Sequence, residues 1–225
     1  MLGNVFILGD SYSTFKGYIP DGYSAYYEPS GPYYIKVNSN MKSNENDVCD
    51  VEQTWWYSLT KKNGNLLRNC SWSGTTICNT GYDGKDNSEI SFIARIEKLL
   101  REGYFKDNKV DTFFLFGGTN DSWSNAPLGK EIYSGWTLSD LYNVLPAFSY
   151  LINLLVSEFE QTNIYCVLNT GLKPEISKFY KNVCEKNSVS VIELNDIEKV
   201  EGHPTIKGMM QIKDQIVDYI EQKVG

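Results

Sequence analysis

Ser11 and His203 are the two residues on which chemistry can be built. Ser11 closes the run Asn-Val-Phe-Ile-Leu-Gly-Asp-Ser, an apolar stretch that breaks at Gly9 and delivers a hydroxyl. The chain holds a single histidine, His203, near its far end in Gly-His-Pro-Thr-Ile-Lys-Gly. A serine hydroxyl is a weak nucleophile until a base takes its proton, and His203 alone can supply an imidazole. Acyl transfer also needs donors for the oxyanion of a tetrahedral intermediate. The turn at Ser11 exposes its own N–H. Gly74, in Trp-Ser-Gly-Thr, lets a backbone N–H approach a ligand closely, and Asn120, in Gly-Gly-Thr-Asn-Asp, can aim a carboxamide NH₂ inward. Asp10 suits a turn-holding carboxylate that accepts main-chain N–H groups. Asp121 suits a cap, and no chemistry is assigned to it.

Short apolar or β-branched runs predict strands at Val5–Leu8, Leu66–Cys70, Thr112–Phe116, Ile164–Leu168 and Val189–Leu194. Between them, helices are predicted over Val51–Lys62, Ser91–Glu102, Leu138–Glu160, Pro174–Lys186 and Thr205–Val224, the last with apolar residues at a helical period. Alternation of this kind implies an α/β fold, a three-layer αβα sandwich around a five-stranded parallel sheet of the flavodoxin-like kind. The expected organisation is one domain over residues 1–225, with long irregular insertions at about 15–50 and 122–137. Both follow strand carboxyl ends, where open α/β sheets bind ligands, so a lidded site is expected. Tyr18, Tyr23, Tyr26, Tyr27, Tyr33 and Tyr34 fall in the first insertion without helical or strand period, suited either to stacking on sugar rings or to packing the loop on the body. The polar stretch Asn38 to Asp50 reads as its tip.

Gly-Asp-Ser at Ser11, a glycine after the second strand, Gly-Gly-Thr-Asn-Asp at Asn120 and His-Pro at His203 occur in order from Gly9 to Pro204. Together they resemble the SGNH, or GDSL-type, hydrolase superfamily. The resemblance implies a serine esterase with Ser11 as nucleophile, His203 as base, and an oxyanion hole formed by the Ser11 N–H, the Gly74 N–H and the Asn120 side chain. One position departs from the pattern. Members usually carry Asp three residues before the histidine, and Val200 stands there. Asp196, Glu198 or Glu201 could substitute in a reshaped loop, Glu201 being the best candidate third member. Alternatively a backbone carbonyl accepts from His203 Nδ1.

The remaining composition mainly excludes. A net charge of −7 leaves no basic excess for phosphates, so no nucleic-acid partner is expected. No apolar run reaches the roughly 20 residues of a membrane span. Five cysteines without a Cys-x-x-Cys pair read as reduced thiols, and with one histidine they offer no metal-ligand spacing. No glycine-rich nucleotide loop is present, so no cofactor is expected. As the chain stands it carries no leader, which points to the cytoplasm, or to an extracytoplasmic site if a leader precedes it. Oligomeric state is not legible.

The expected partner is a glycan or small-molecule ester. Tyr12, Trp72 and Trp123 are candidate substrate contacts, and aliphatic residues are sparse in both insertions. The lean is therefore towards short-chain acetyl esters on carbohydrate. The alternatives are a lysophospholipase or thioesterase on the same fold, and a catalytically weak glycan-binding module.

Overall fold

The computed structural model describes residues 1–29 and 46–224. Tyr33, Tyr34 and most of the polar tip lie outside the described residues. Five strands form the sheet: β1 (Gly3–Gly9), β2 (Gly64–Asn69), β3 (Thr112–Phe116), β4 (Asn163–Leu168) and β5 (Ser190–Glu193), all parallel in the order β2-β1-β3-β4-β5. Each of these five strands is one the apolar runs predict, and the order is that of a flavodoxin-like sheet. The helices are α1 (Trp55–Asn63), α2 (Phe92–Arg101), α3 (Tyr104–Asp107), α4 (Thr119–Trp123), α5 (Val144–Glu158), α6 (Pro174–Lys186) and α7 (Ile206–Val224). None of them is long and apolar enough to cross a membrane among the described residues.

Successive strand residues point to opposite faces, and the core divides accordingly. Phe6, Leu8, Phe113, Leu115, Ile164 and Cys166 pack with α2, α5 and α6. Val5, Ile7, Phe114, Phe116, Tyr165 and Val167 pack with α1 and α7. This is why β1, β3 and β4 read as unbroken apolar runs: a parallel sheet covered on both sides has no polar face.

Two helices start later than their periodicity suggests. The segment from Val51 makes one 3-10 turn, capped by Asp50, before extended Thr54 caps α1 by accepting from the Tyr57 N–H. The segment from Leu138 makes a 3-10 turn at Asp140–Tyr142, and α5 begins only after extended Asn143. Pro146 explains the second case, since a ring without an N–H is tolerated in the first helical turn and not deeper. Thr205 caps α7, its hydroxyl accepting from the Gly208 N–H at 3.2 Å. The short helices α3 and α4 were not foreseen, and neither was an antiparallel pair, β6 (Lys199–Val200) with β7 (His203–Pro204).

Phe114 lies at the centre of the sheet, fully buried, with its ring 5.7 Å from Trp55 and 5.5 Å from Tyr165. Phe114→Ala is expected to lower unfolding free energy by about 3–5 kcal/mol with an unchanged m-value, read from urea denaturation.

Candidate active site

The sheet delivers Ser11 at the carboxyl end of β1. Here the strand leaves Gly9, where an added Cβ would lie 2.6 Å from Ser71 Oγ, and enters a 3-10 turn over Ser11–Ser13. The Asp10 carboxylate caps that turn by accepting from the Tyr12 N–H at 3.1 Å. Asp10 is buried, which pushes its pKa up to about 7. Its position is that of the turn-holding residue expected from sequence.

His203 arrives from the opposite end of the chain on the β6–β7 hairpin, where Val200 pairs with His203. The two residues between them, Glu201 and Gly202, have φ of +49° and +79°. Two successive left-handed residues match a type I′ turn, the tight turn whose twist fits a hairpin. At Gly202 an added Cβ would also meet Trp123 at 2.7 Å, so that position takes glycine on two grounds. The hairpin is tied down from below: Tyr12 donates its hydroxyl to the Gly202 carbonyl, Tyr27 donates to the Pro204 carbonyl at 2.9 Å, and the Asn46 amide donates there at 2.8 Å. Lys199, on β6, donates to Asn169 Oδ1 at 2.8 Å and to Thr170 Oγ1 at 2.6 Å beyond the end of β4.

In consequence His203 Nε2 lies 2.9 Å from Ser11 Oγ, although the two residues are 192 positions apart. Nδ1 lies 3.3 Å from the main-chain carbonyl of Glu201. A carbonyl only accepts, so Nδ1 carries the proton and Nε2 turns its lone pair to the serine hydroxyl. That is the tautomer a general base requires. Glu201 thus meets the ring with its backbone, while its side chain is exposed. Burial lowers the His203 pKa to about 4; the Glu201 carbonyl opposes that shift and the nearby Lys199 charge adds to it. Burial likewise lowers Lys199 to about 8.

The expected oxyanion donors come to the same edge of the sheet. Trp72 donates its N–H to the Gly9 carbonyl at 3.1 Å, which places the Trp72–Thr75 turn beside Ser11. Gly74 in that turn has φ of +78° and open space where a side chain would stand. Asn120 donates one amide proton to the Thr75 carbonyl at 2.9 Å and accepts from the Tyr82 hydroxyl at 2.8 Å through Oδ1. These partners fix which end of the carboxamide is nitrogen and leave its second N–H for a ligand. Asp121 accepts from the Ile77 and Cys78 N–H groups, holding the loop that follows Gly74.

Of the candidate substrate contacts, Trp123 is 42% exposed and stands edge-on to His203 at 6.1 Å, and Trp72 stacks on Tyr23 at 4.1 Å. Tyr12 differs: it is fully buried beneath the hairpin, where its work is to hold Gly202. The expected lid also divides. Tyr26 reaches the site, stacked on His203 at 3.6 Å, whereas Tyr133 and Trp136 of the second insertion pack back on Phe179 and Tyr150. Among the described residues no group of His, Cys, Asp or Glu is placed to hold a metal ion.

Arg95 belongs to none of the sequence motifs. It is completely buried and donates to the Gly9 carbonyl at 3.2 Å, to the Cys70 carbonyl, and to Thr75 Oγ1 at 3.0 Å. A signal was available, because Arg95 shares the buried stripe of α2 with Phe92, Ile96 and Leu99, where a cation needs a polar destination. Tyr82 offered no comparable sign.

The profile of the family described as GDSL-like Lipase/Acylhydrolase matches residues 3–220. Among solved structures, a candidate GDSL-like lipase from Bacteroides ovatus is 42% identical, covering 99% of both chains with a TM-score of 0.86. Another from Bacteroides uniformis is 38% identical over 98% of this chain and 96% of that one, with a TM-score of 0.84. A family two carbohydrate esterase from Clostridium thermocellum, solved in complex with cellohexaose, shares the fold at 16% identity and a TM-score of 0.64, over 99% of this chain and 65% of its own. No curated protein matches the chain. The chain belongs to the GDSL-like lipase/acylhydrolase family and is an ester hydrolase.

Proposed function

We propose that this hydrolase removes short acyl groups, acetyl foremost, from a carbohydrate or similar alcohol through a Ser11–His203 dyad. The observation that carries the reading is the 2.9 Å approach of His203 Nε2 to Ser11 Oγ with Nδ1 held on a carbonyl. Ser11 Oγ attacks the ester carbonyl as Nε2 takes its proton. The tetrahedral oxyanion is met by the N–H groups of Ser11 and Gly74 and by Asn120 Nδ2. Collapse expels the alcohol, which takes the proton from Nε2, and water then attacks the acyl-serine by the same proton path in reverse.

Tyr26 and Trp123 contact His203, and Asn120, Tyr82 and Trp72 lie on the neighbouring loops, with Asn120 bonded to Tyr82 and Thr75 and Trp72 stacked on Tyr23. Rings with polar edges suit a sugar alcohol better than a long acyl chain, which needs aliphatic lining. The Clostridium thermocellum esterase shows the same fold serving carbohydrate esters. These points support the carbohydrate reading.

Hydrolysis of p-nitrophenyl esters from acetate to decanoate should peak at the shortest acyl groups and fall at least about 1,000-fold in Ser11→Ala. A maximum at decanoate would move the assignment to a lysophospholipase or thioesterase. Asn120→Ala should lower kcat by about 100- to 1,000-fold. Glu201→Gln should leave kcat within about three-fold, because the carbonyl that faces Nδ1 remains; a loss of two decades would mean that the carboxylate acts in turnover. The base must be neutral to accept a proton, and burial lowers the His203 pKa to about 4. The kcat/KM profile should therefore stay flat as pH falls to about 5 and drop only near the shifted value, well below the ordinary imidazole midpoint of about 6.5.

A further inference from the structure

A serine–histidine pair must stabilise an imidazolium each time the serine is deprotonated. A triad carboxylate ordinarily does this, and Val200 stands where the family places it. The groups facing His203 among the described residues are Lys199 on β6, Ser11 and Tyr12 after β1, Tyr26 in the loop that follows, Trp123 at the end of α4, and the Glu201 carbonyl. Lys199 works against a second cation. The Glu201 carbonyl works for it, but brings only a partial charge.

The ring contacts differ in kind. Tyr12 is tilted by 53° at 5.5 Å and Trp123 stands at 74° and 6.1 Å. Tyr26 lies parallel to the imidazole, at 7° and 3.6 Å between centroids. An aromatic face carries negative quadrupolar charge and attracts a cation laid on it, more strongly where water is excluded. Tyr26 is only 8% exposed, so the contact is shielded. It is also held in place. Its N–H donates to Thr14 Oγ1 at 2.9 Å, and its ring abuts Tyr27 at 4.8 Å and 80°.

We infer that Tyr26 is a positioning residue whose ring face orients His203 and stabilises its imidazolium during turnover, a task a triad carboxylate would otherwise perform. The inference rests on the reading of His203 as the base. It assigns a function to one tyrosine of the aromatic loop without requiring that loop to open or close.

The test uses Tyr26→Phe, which keeps the face, and Tyr26→Leu, which keeps the apolar bulk and the desolvation but removes the π system. Thermal unfolding of both establishes that they fold. The chain has one histidine, so its imidazole NMR signal needs no assignment and can be titrated directly. Tyr26→Leu should lower the His203 pKa by about 0.5 to 1 unit relative to wild type, and Tyr26→Phe by far less. On p-nitrophenyl acetate, Tyr26→Leu should lose about 3- to 10-fold in kcat with little change in KM, and Tyr26→Phe should restore most of that loss.

A leucine variant that matches the phenylalanine variant in both pKa and kcat would overturn the inference. If turnover vanishes in Ser11→Ala yet is untouched in Tyr26→Leu, the esterase reading stands and the stacking role falls. If the wild-type protein hydrolyses no ester, that reading falls, and the imidazole titration still decides whether Tyr26 favours the cation.

Discussion

One buried guanidinium holds together the two strand ends from which the candidate site is made. Arg95 reaches from α2 across the carboxyl edge of the sheet and donates to the carbonyls of Gly9 and Cys70 and to Thr75 Oγ1. Where two parallel strands leave a sheet, their last carbonyls lose their ladder partners and must find donors or water. A planar group with five N–H donors in fixed directions can serve several at once. Burial pulls the Arg95 pKa down, but a guanidinium starts so high that it stays charged. Ser11 follows Gly9 by two residues, and Gly74 lies in the turn after Cys70. Their relative placement is therefore set by contacts with one side chain.

Two buried carboxylates complete the frame around this cation. Asp10 caps the turn that carries Ser11, and Asp121 receives two N–H groups from the loop after Gly74. Burial raises the pKa of each, with the Asp10–Asp121 repulsion adding to the rise at Asp10 and Arg95 opposing it. Charges placed this way cost desolvation, and the cost is tolerated because each satisfies main-chain groups that loops cannot satisfy for themselves. The loops of the candidate site are bonded through their main chain to Asp10, Asp121 and Arg95. None of its principal residues depends on a long flexible side chain to reach its place.

The legible parts of the fold were those governed by chain-local rules. β1, β3 and β4 are buried on both faces, so an uninterrupted apolar run is a sufficient sign, and the meeting of Ser11 with His203 brings a hydroxyl at a strand end to the chain's sole imidazole. What failed to show depends on partners distant in sequence. The Glu201-Gly202 turn carries no Asn-Gly or Asp-Gly signature, so the hairpin that presents His203 left no local trace. Tyr12 is a candidate substrate contact next to the serine in sequence, but adjacency says nothing of which way a ring points, and its hydroxyl goes to the Gly202 carbonyl. Tyr26 was one tyrosine among several in a periodless loop, and only its stacking on a residue 177 positions away distinguishes it. Glu201 is a candidate by its carboxylate, and the atom that faces His203 Nδ1 is its carbonyl oxygen.

Under the proposed Ser11–His203 dyad, a carbonyl rather than a carboxylate at Nδ1 has an electrostatic consequence. A base must be neutral at rest and cationic in the transition state, and a full negative charge beside it serves the second need at the expense of the first by raising the resting pKa. Here burial and Lys199 both hold the ring neutral. Lys199 does so while its ammonium ties the hairpin to the residues beyond β4, so the contact that positions His203 also disfavours its protonation. The groups left to favour the cation, a carbonyl dipole and a tyrosine face, act over a short range and only when the charge is present and aligned. They restore part of the imidazolium's stability without recruiting a proton to the resting ring. The dyad we propose gives up some stabilisation of the charged intermediate in return for an imidazole that burial keeps neutral below its ordinary midpoint.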